Sequence, residues 1–262
     1  MPIIINRRDI SLSFMIVTVE IPCFDRAVID EIDSSIVSIC EGCSDSDVND
    51  VKLDLMNFFE TQSKKTVVGA VAEFFIHLVV RKMGFKQEFL FRNLEENSIK
   101  KGFDGVYSGD EQTWLMESKA GGNANCVMKA SKAYADLKDK LEGKAKNNPW
   151  RNAFNHASHI DVGADESIRS AIKKLANDYR SKKFHKIESF NIMPCGTSFG
   201  DANVKRKNKM GKHKDTFSYV VNMMSNKKDS FCGKRNMIIC IESRIFDEFL
   251  KYIKGEMYEV EE

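Results

Sequence analysis

The sequence predicts an α/β fold organised as one continuous unit, and three observations carry that reading. Segments rich in β-branched and aromatic residues alternate with segments of helical periodicity along the chain. No internal repeat and no Pro- or Ser-rich linker breaks the alternation. The composition, 42% hydrophobic and 30% charged over 262 residues, is that of a folded chain long enough to bury a sizeable core. Apolar residues are nowhere continuous enough for a membrane span, because the most apolar stretch, 67–80, is interrupted by Glu73 and His77. Residues 1–8 lack the apolar region and cleavage site of a signal peptide, so a cytoplasmic protein is expected.

The elements follow in order. Residues 3–5 and 12–21 read as strands ending at Pro22. Helical spacing follows at 25–41 and 48–62, and residues 1–62 form an N-terminal α/β elaboration. The strongest helix signal runs from Lys65 to Met83, with apolar residues at 67, 68, 71, 74, 75, 78 and 79 and a stop at Gly84. Strands are expected at 86–92, 102–107 and 113–119, the last two joined by a short turn at Gly109 and Asp110. Helices are expected at 126–143 and 165–183, strands at 186–193, 216–224 and 236–242, and a closing helix at 244–254. Residues 196–214 read as a loop.

Seven cysteines at scattered positions in a chain with no export signal argue against a disulfide framework. Cys40 and Cys43 form a CxxC, and His156 and His159 could complete a zinc site with them. More than a hundred residues separate the halves, so loop and helix-end thiols are the better reading.

Charge is unevenly distributed. Residues 1–130 carry 14 Lys/Arg against 20 Asp/Glu, whereas residues 131–235 carry 23 against 11. A basic later half points to an anionic polymer as ligand, since Lys and Arg gain affinity by releasing counterions from phosphates; a solvated lysine-rich surface is the alternative. The densest cluster, NVKRKNKMGKHK, places Lys205, Arg206, Lys207, Lys209, Lys212 and Lys214 in one segment. It has charge without the aromatic platforms that stack unpaired bases, which suits tracking a phosphate backbone.

Chemistry concentrates in GFDGVYSGDEQTWLMESKAGG, residues 102–122. A hairpin centred between Asp110 and Glu111 pairs residues whose numbers sum to 221, which sets Asp104 opposite Glu117. Opposed side chains share a face with Cβ atoms about 5 Å apart, so two carboxylates meet where like charges repel. Alternation brings Lys119 to the same face. Two oxygen donors of this kind suit Mg²⁺, which takes carboxylates, waters and substrate phosphates together. Glu73, a carboxylate inside an apolar helix face, reads as a further acidic group at this site or as a partner of His77 one turn later.

The order of an acidic helix residue, a strand with Asp, a hairpin strand with Glu-x-Lys and a helix resembles the PD-(D/E)xK nuclease superfamily. The matching residues are Glu73, Asp104, Glu117 and Lys119. More narrowly, VVGAVAEFFIHLVVRKMGF followed by KGFDGVYSGDEQTWLMESKA is similar to the nuclease subunit of the Hachiman anti-phage defence system, over about residues 66–122. The resemblance implies a restriction-endonuclease-like core over residues 63–262, a mixed β-sheet flanked by helices. It further implies Mg²⁺, with Mn²⁺ able to substitute, held by Asp104, Glu117 and the backbone carbonyl of Ser118. It implies DNA as substrate and a superfamily 2 helicase subunit as partner. The superfamily's Asp is usually preceded by Pro, where this chain has Phe103. A catalytically inactive nuclease-fold subunit that binds nucleic acid or a helicase is the alternative. No GxxxxGK[ST] loop is present, so no nucleotide cofactor is expected on this chain.

Overall fold

Strands from the two ends of the chain meet near the middle of one sheet. The computed structural model describes residues 3–91, 102–109, 111–121, 125–157, 166–200 and 216–256. Strands β1 (Ile4–Ser11) and β2 (Phe14–Ile21) form an antiparallel hairpin, and β2 runs parallel to β7 (Arg235–Ser243). Next to β7 lies β6 (Asn191–Phe199), then β5 (Gln112–Gly121), both parallel to it. β4 (Gly105–Gly109) and β3 (Lys86–Gln87) close the far edge antiparallel. The sheet is therefore mixed and seven-stranded, in the order β1-β2-β7-β6-β5-β4-β3. β1 and β2, assigned to an N-terminal elaboration from the sequence, are part of this same sheet.

Helices cover both faces, which is why β2, β6 and β7 are almost continuously buried rather than alternating. One face packs against α1 (Arg26–Asp33), α2 (Ile36–Cys40), α3 (Val48–Thr61), α4 (Lys64–Lys82) and the closing helix α9 (Phe246–Ile253). The other packs against α5 (Cys126–Leu141), α6 (Pro149–Ala157), α7 (Glu166–Arg180) and α8 (Thr216–Ser225). α4 is apolar nearly all round because it is enclosed, and its buried residues include Phe74, Phe75, Ile76, Leu78 and Val79. Its start is capped by Ser63, whose hydroxyl accepts from the Thr66 N–H at 3.3 Å. It ends where Gly84 adopts a φ of 90°.

Several sequence expectations need correction. Residues 216–224, expected as a strand for their β-branched and aromatic content, form α8. Val220 and Met224, one turn apart, are both buried in a cluster with Ile16, Ile238 and Cys240 of the sheet. The strand expected at 186–193 is a 3₁₀ turn at Ile187–Ser189 followed by β6, which continues to Phe199 through residues expected to be loop. Pro194 lies inside β6, and the pairing with β7 omits Met193 and Pro194, the local gap that a residue without an N–H leaves in a ladder. The helix expected at 25–41 breaks into α1 and α2, the strand expected at 86–92 is two residues long, and α6 was not anticipated. All seven cysteines are free thiols, with Cys40 buried and Cys43 exposed. The basic residues Lys205, Arg206, Lys207, Lys209, Lys212 and Lys214 lie outside the described residues. Among the described residues no helix is long and apolar enough to cross a membrane.

Candidate active site

The β4–β5 hairpin has the expected register. Pairs run from Gly105↔Met116 to Gly109↔Gln112, each summing to 221, around a turn in which Glu111 adopts a φ of 58°. One step beyond the last pair, Asp104 stands across from Glu117. There the ladder ends, and the Asp104 side chain takes over the pairing: its Oδ2 accepts from the Ser118 N–H at 2.7 Å. A strand residue sends its N–H and C=O to the same side, so the Ser118 carbonyl also opens toward Asp104.

Glu117 is the buried centre of the cluster, with 2% of its surface exposed. The Lys119 ammonium donates to its Oε1 at 2.7 Å, and the Lys140 ammonium of α5 donates to its Oε2. Lys119 also pairs with Asp136 Oδ2 at 3.0 Å. Burial raises the Glu117 carboxyl pKa, and neighbouring Asp104 raises it further, while Lys140 and Lys119 pull the other way without cancelling the rise. Burial works against the charge on Lys119, but Glu117 and Asp104 outweigh it and hold the ammonium above the ordinary lysine value. Burial, more than the neighbouring carboxylate, thus disfavours ionisation of Glu117, and the two ammonium groups offset it only in part.

α5 and β5 align so that the cluster extends along both. Lys129 Nζ comes 2.7 Å from where a side chain on Gly121 would begin, Asp136 meets Lys119, and Lys140 meets Glu117. Residues 129, 136 and 140 recur at helical spacing on one face of α5. Asn125 caps this helix, accepting from the Val127 N–H at 2.7 Å and donating to the Tyr219 hydroxyl at 2.7 Å. Lys140 and Asp136 were not singled out from the sequence. Their i, i+4 spacing on a predicted helix is the only local signal, and it does not say which strand residue lies beneath.

Glu73 lies in the other layer, on α4. It is 5% exposed on α4, with Oε1 3.5 Å from His77 Nε2, the neighbour contact weighed for it from sequence. His77 Nδ1 in turn shares a hydrogen bond with the Tyr107 hydroxyl of β4. Tyr107 is fully buried, and burial, followed by Cys195, Glu73 and Asp104, pushes its phenol well above the ordinary value. Asp104, Glu117 and Lys119 therefore form one network on the α5 side, while Glu73, His77 and Tyr107 form another on the α4 side.

Among the described residues no three His, Cys, Asp or Glu side chains are arranged as a metal cage. Mg²⁺ does not require one, since it binds through one or two carboxylates and keeps waters and substrate oxygens. Asp104, Glu117 and the Ser118 carbonyl are oxygen donors of the kind such a site uses. Comparison with protein-family models and with curated proteins finds no match to this chain.

Proposed function

We propose that the chain is a metal-dependent nuclease that hydrolyses DNA phosphodiester bonds. The observation that carries this reading is the juxtaposition of Asp104 and Glu117 at the end of the hairpin, with the Lys119 ammonium on Glu117 Oε1. Supporting it is the order of elements: an acidic residue on α4, a strand entered from Asp104, a paired strand with Glu117 and Lys119, and then α5. Through its sequence resemblance we further propose that it acts with a superfamily 2 helicase subunit in anti-phage defence.

Asp104 and Glu117, with the Ser118 carbonyl, are the groups that would hold Mg²⁺ or Mn²⁺. The bound metal would supply charge stabilisation at the scissile phosphate and a lowered pKa for a coordinated water. Lys119 is built for a complementary task. It is held by Glu117 and Asp136 in a fixed position and remains charged, so its ammonium can orient an attacking water and offset negative charge developing on the phosphate. Lys129, further along the same face of α5, adds a positive charge beside Gly121 that would attract a phosphate.

One observation favours a second reading. Both oxygens of Glu117 are engaged by lysines, so the cluster is electrostatically satisfied as a structural ion network. A subunit that binds nucleic acid without cutting it would need no more. Incubation of linear and circular DNA with the purified chain, with Mg²⁺ or with chelator, separates the two. The nuclease reading predicts chelator-sensitive cleavage, reduced about 10²–10³-fold by Lys119→Met as for loss of an electrostatic catalytic group. Cleavage that survives both chelator and Glu117→Gln would overturn it. DNA binding indifferent to metal, with no cleavage alone or beside the helicase subunit, would favour the second.

A further inference from the structure

We infer that Lys140 is a displaceable counter-ion of the metal position: its ammonium holds Glu117 Oε2 when no divalent cation is bound, and a cation entering between Asp104 and Glu117 drives it out. The inference rests on the reading of Asp104 and Glu117 as metal ligands and adds to it a residue that the motif does not contain.

Three features support it. First, Glu117 is buried and its two oxygens are divided between two ammonium groups, Lys119 on Oε1 and Lys140 on Oε2. A divalent cation on the same carboxylate repels both, and at these separations around a buried carboxylate the repulsion is poorly screened. Second, the two lysines are not equally held. Lys119 has a second anchor in Asp136 Oδ2 at 3.0 Å, and its backbone lies inside the sheet. Lys140 has Glu117 and, more loosely, the ring of Phe103, whose centroid is 5.9 Å from its Nζ. Third, Lys140 stands on a surface helix with 23% of its side chain exposed, so rotation about its four-carbon stem carries the charge into solvent without disturbing the core.

The place of Phe103 fits the same picture. This residue is fully buried, packs edge-on against Trp150 with ring centroids 4.7 Å apart, and presents its ring toward the lysine. An aromatic residue ahead of Asp104 thus gives Lys140 a seat that a proline would not provide.

Calorimetric titration of Mn²⁺ alone into the full chain tests the inference without reference to cleavage. Lys140→Met should bind Mn²⁺ about tenfold more tightly than the wild type, equivalent to about 1.4 kcal/mol. Lys138→Met removes the same charge from the same helix, at a residue paired with Glu142 at 3.9 Å, and should change affinity by no more than about twofold because solvent screens it. Lys140→Arg, which keeps the charge and can grip the carboxylate with two N–H groups, should bind Mn²⁺ more weakly than the wild type. It keeps the inference testable if Lys140→Met does not fold. Unchanged or weaker binding by Lys140→Met, or unchanged binding by Lys140→Arg, would overturn the displacement while leaving the ligand assignment intact. Absence of Mn²⁺ binding in every variant, or binding that survives Glu117→Gln, would overturn the ligand assignment and the inference with it.

Discussion

Gly196 of β6 is the point on which the position of α5, and so of Lys140 and Asp136, depends. A Cβ built on Gly196 would lie 2.0 Å from the Cys126 carbonyl oxygen and 2.6 Å from the Ala130 backbone N, both on α5. Side-chain carbons essentially never come within 3.0 Å of such atoms, so Gly196→Ala forces helix and strand apart by at least 1.0 Å. The obstacles are backbone, which cannot rotate away as a side-chain tip can. Overpacking of this kind costs about 1–3 kcal/mol, and rigid obstacles on both contacts put this case near 3 kcal/mol. For a chain of this size that is a fall in Tm of about 6–12 °C. Gly69→Ala is the matched control. Nothing lies within 4 Å of its new Cβ in the interior of α4, and replacing a mid-helix glycine should stabilise by about 0.5–1 kcal/mol. Differential scanning calorimetry of the two variants beside the wild type reads both shifts. A Gly196→Ala Tm within about 2 °C of wild type would refute the close docking of α5 on β6, and with it the geometry that brings Lys140 to Glu117.

Two further outcomes follow from the buried polar groups. Tyr107→Phe removes the hydroxyl bonded to His77 Nδ1 between two fully buried side chains, and should lower the urea midpoint by the equivalent of about 1–3 kcal/mol with an unchanged m-value; an unmoved midpoint would mean that this bond contributes nothing net. The pH dependence of stability in chelator reads Glu117. Its folded pKa is raised above the ordinary 4.5, first by burial and then by Asp104, so its contribution to stability is fully present below 4.5 and is lost as pH rises through the folded value. Glu117→Gln lacks that loss, so its stability relative to wild type should climb with pH across this window and then level off. A relative stability that falls with pH would show that Lys119 and Lys140 outweigh burial and Asp104.

The parts legible in the sequence are those set by local patterning. The apolar positions from Val67 to Val80 recur at helical spacing and the structure has α4 there. The hairpin register followed from one turn, because a two-residue connection between Gly109 and Gln112 fixes which residues of the two strands stand opposite. From that register alone came the neighbourhood of Asp104, Glu117 and Lys119. α8 was misread because Thr216–Ser225 satisfies both patterns: its β-branched and aromatic content suits a strand, while Val220 and Met224 also lie on one helical face. Burial of those two residues against the sheet decides for the helix.

Tertiary contacts decide everything that joins residues distant in the chain. The partnership of β2 with β7 unites residues 14–21 with 236–243, and no local pattern encodes which parallel neighbour a buried strand takes. Likewise, Glu117 meets Lys140 only because α5 docks on β5 and β6 at one rotation and one height. A charged residue on an amphipathic helix is compatible with many partners, and the docking of backbone on glycine selects one. The sequence thus carries the carboxylate pair and its lysine, held within about twenty residues of hairpin, whereas the second ammonium and the placing of Glu73 in a separate layer arise from packing. Alternation and helical period act over a few residues, while the balance of charge around a buried carboxylate is summed over every element that closes upon it.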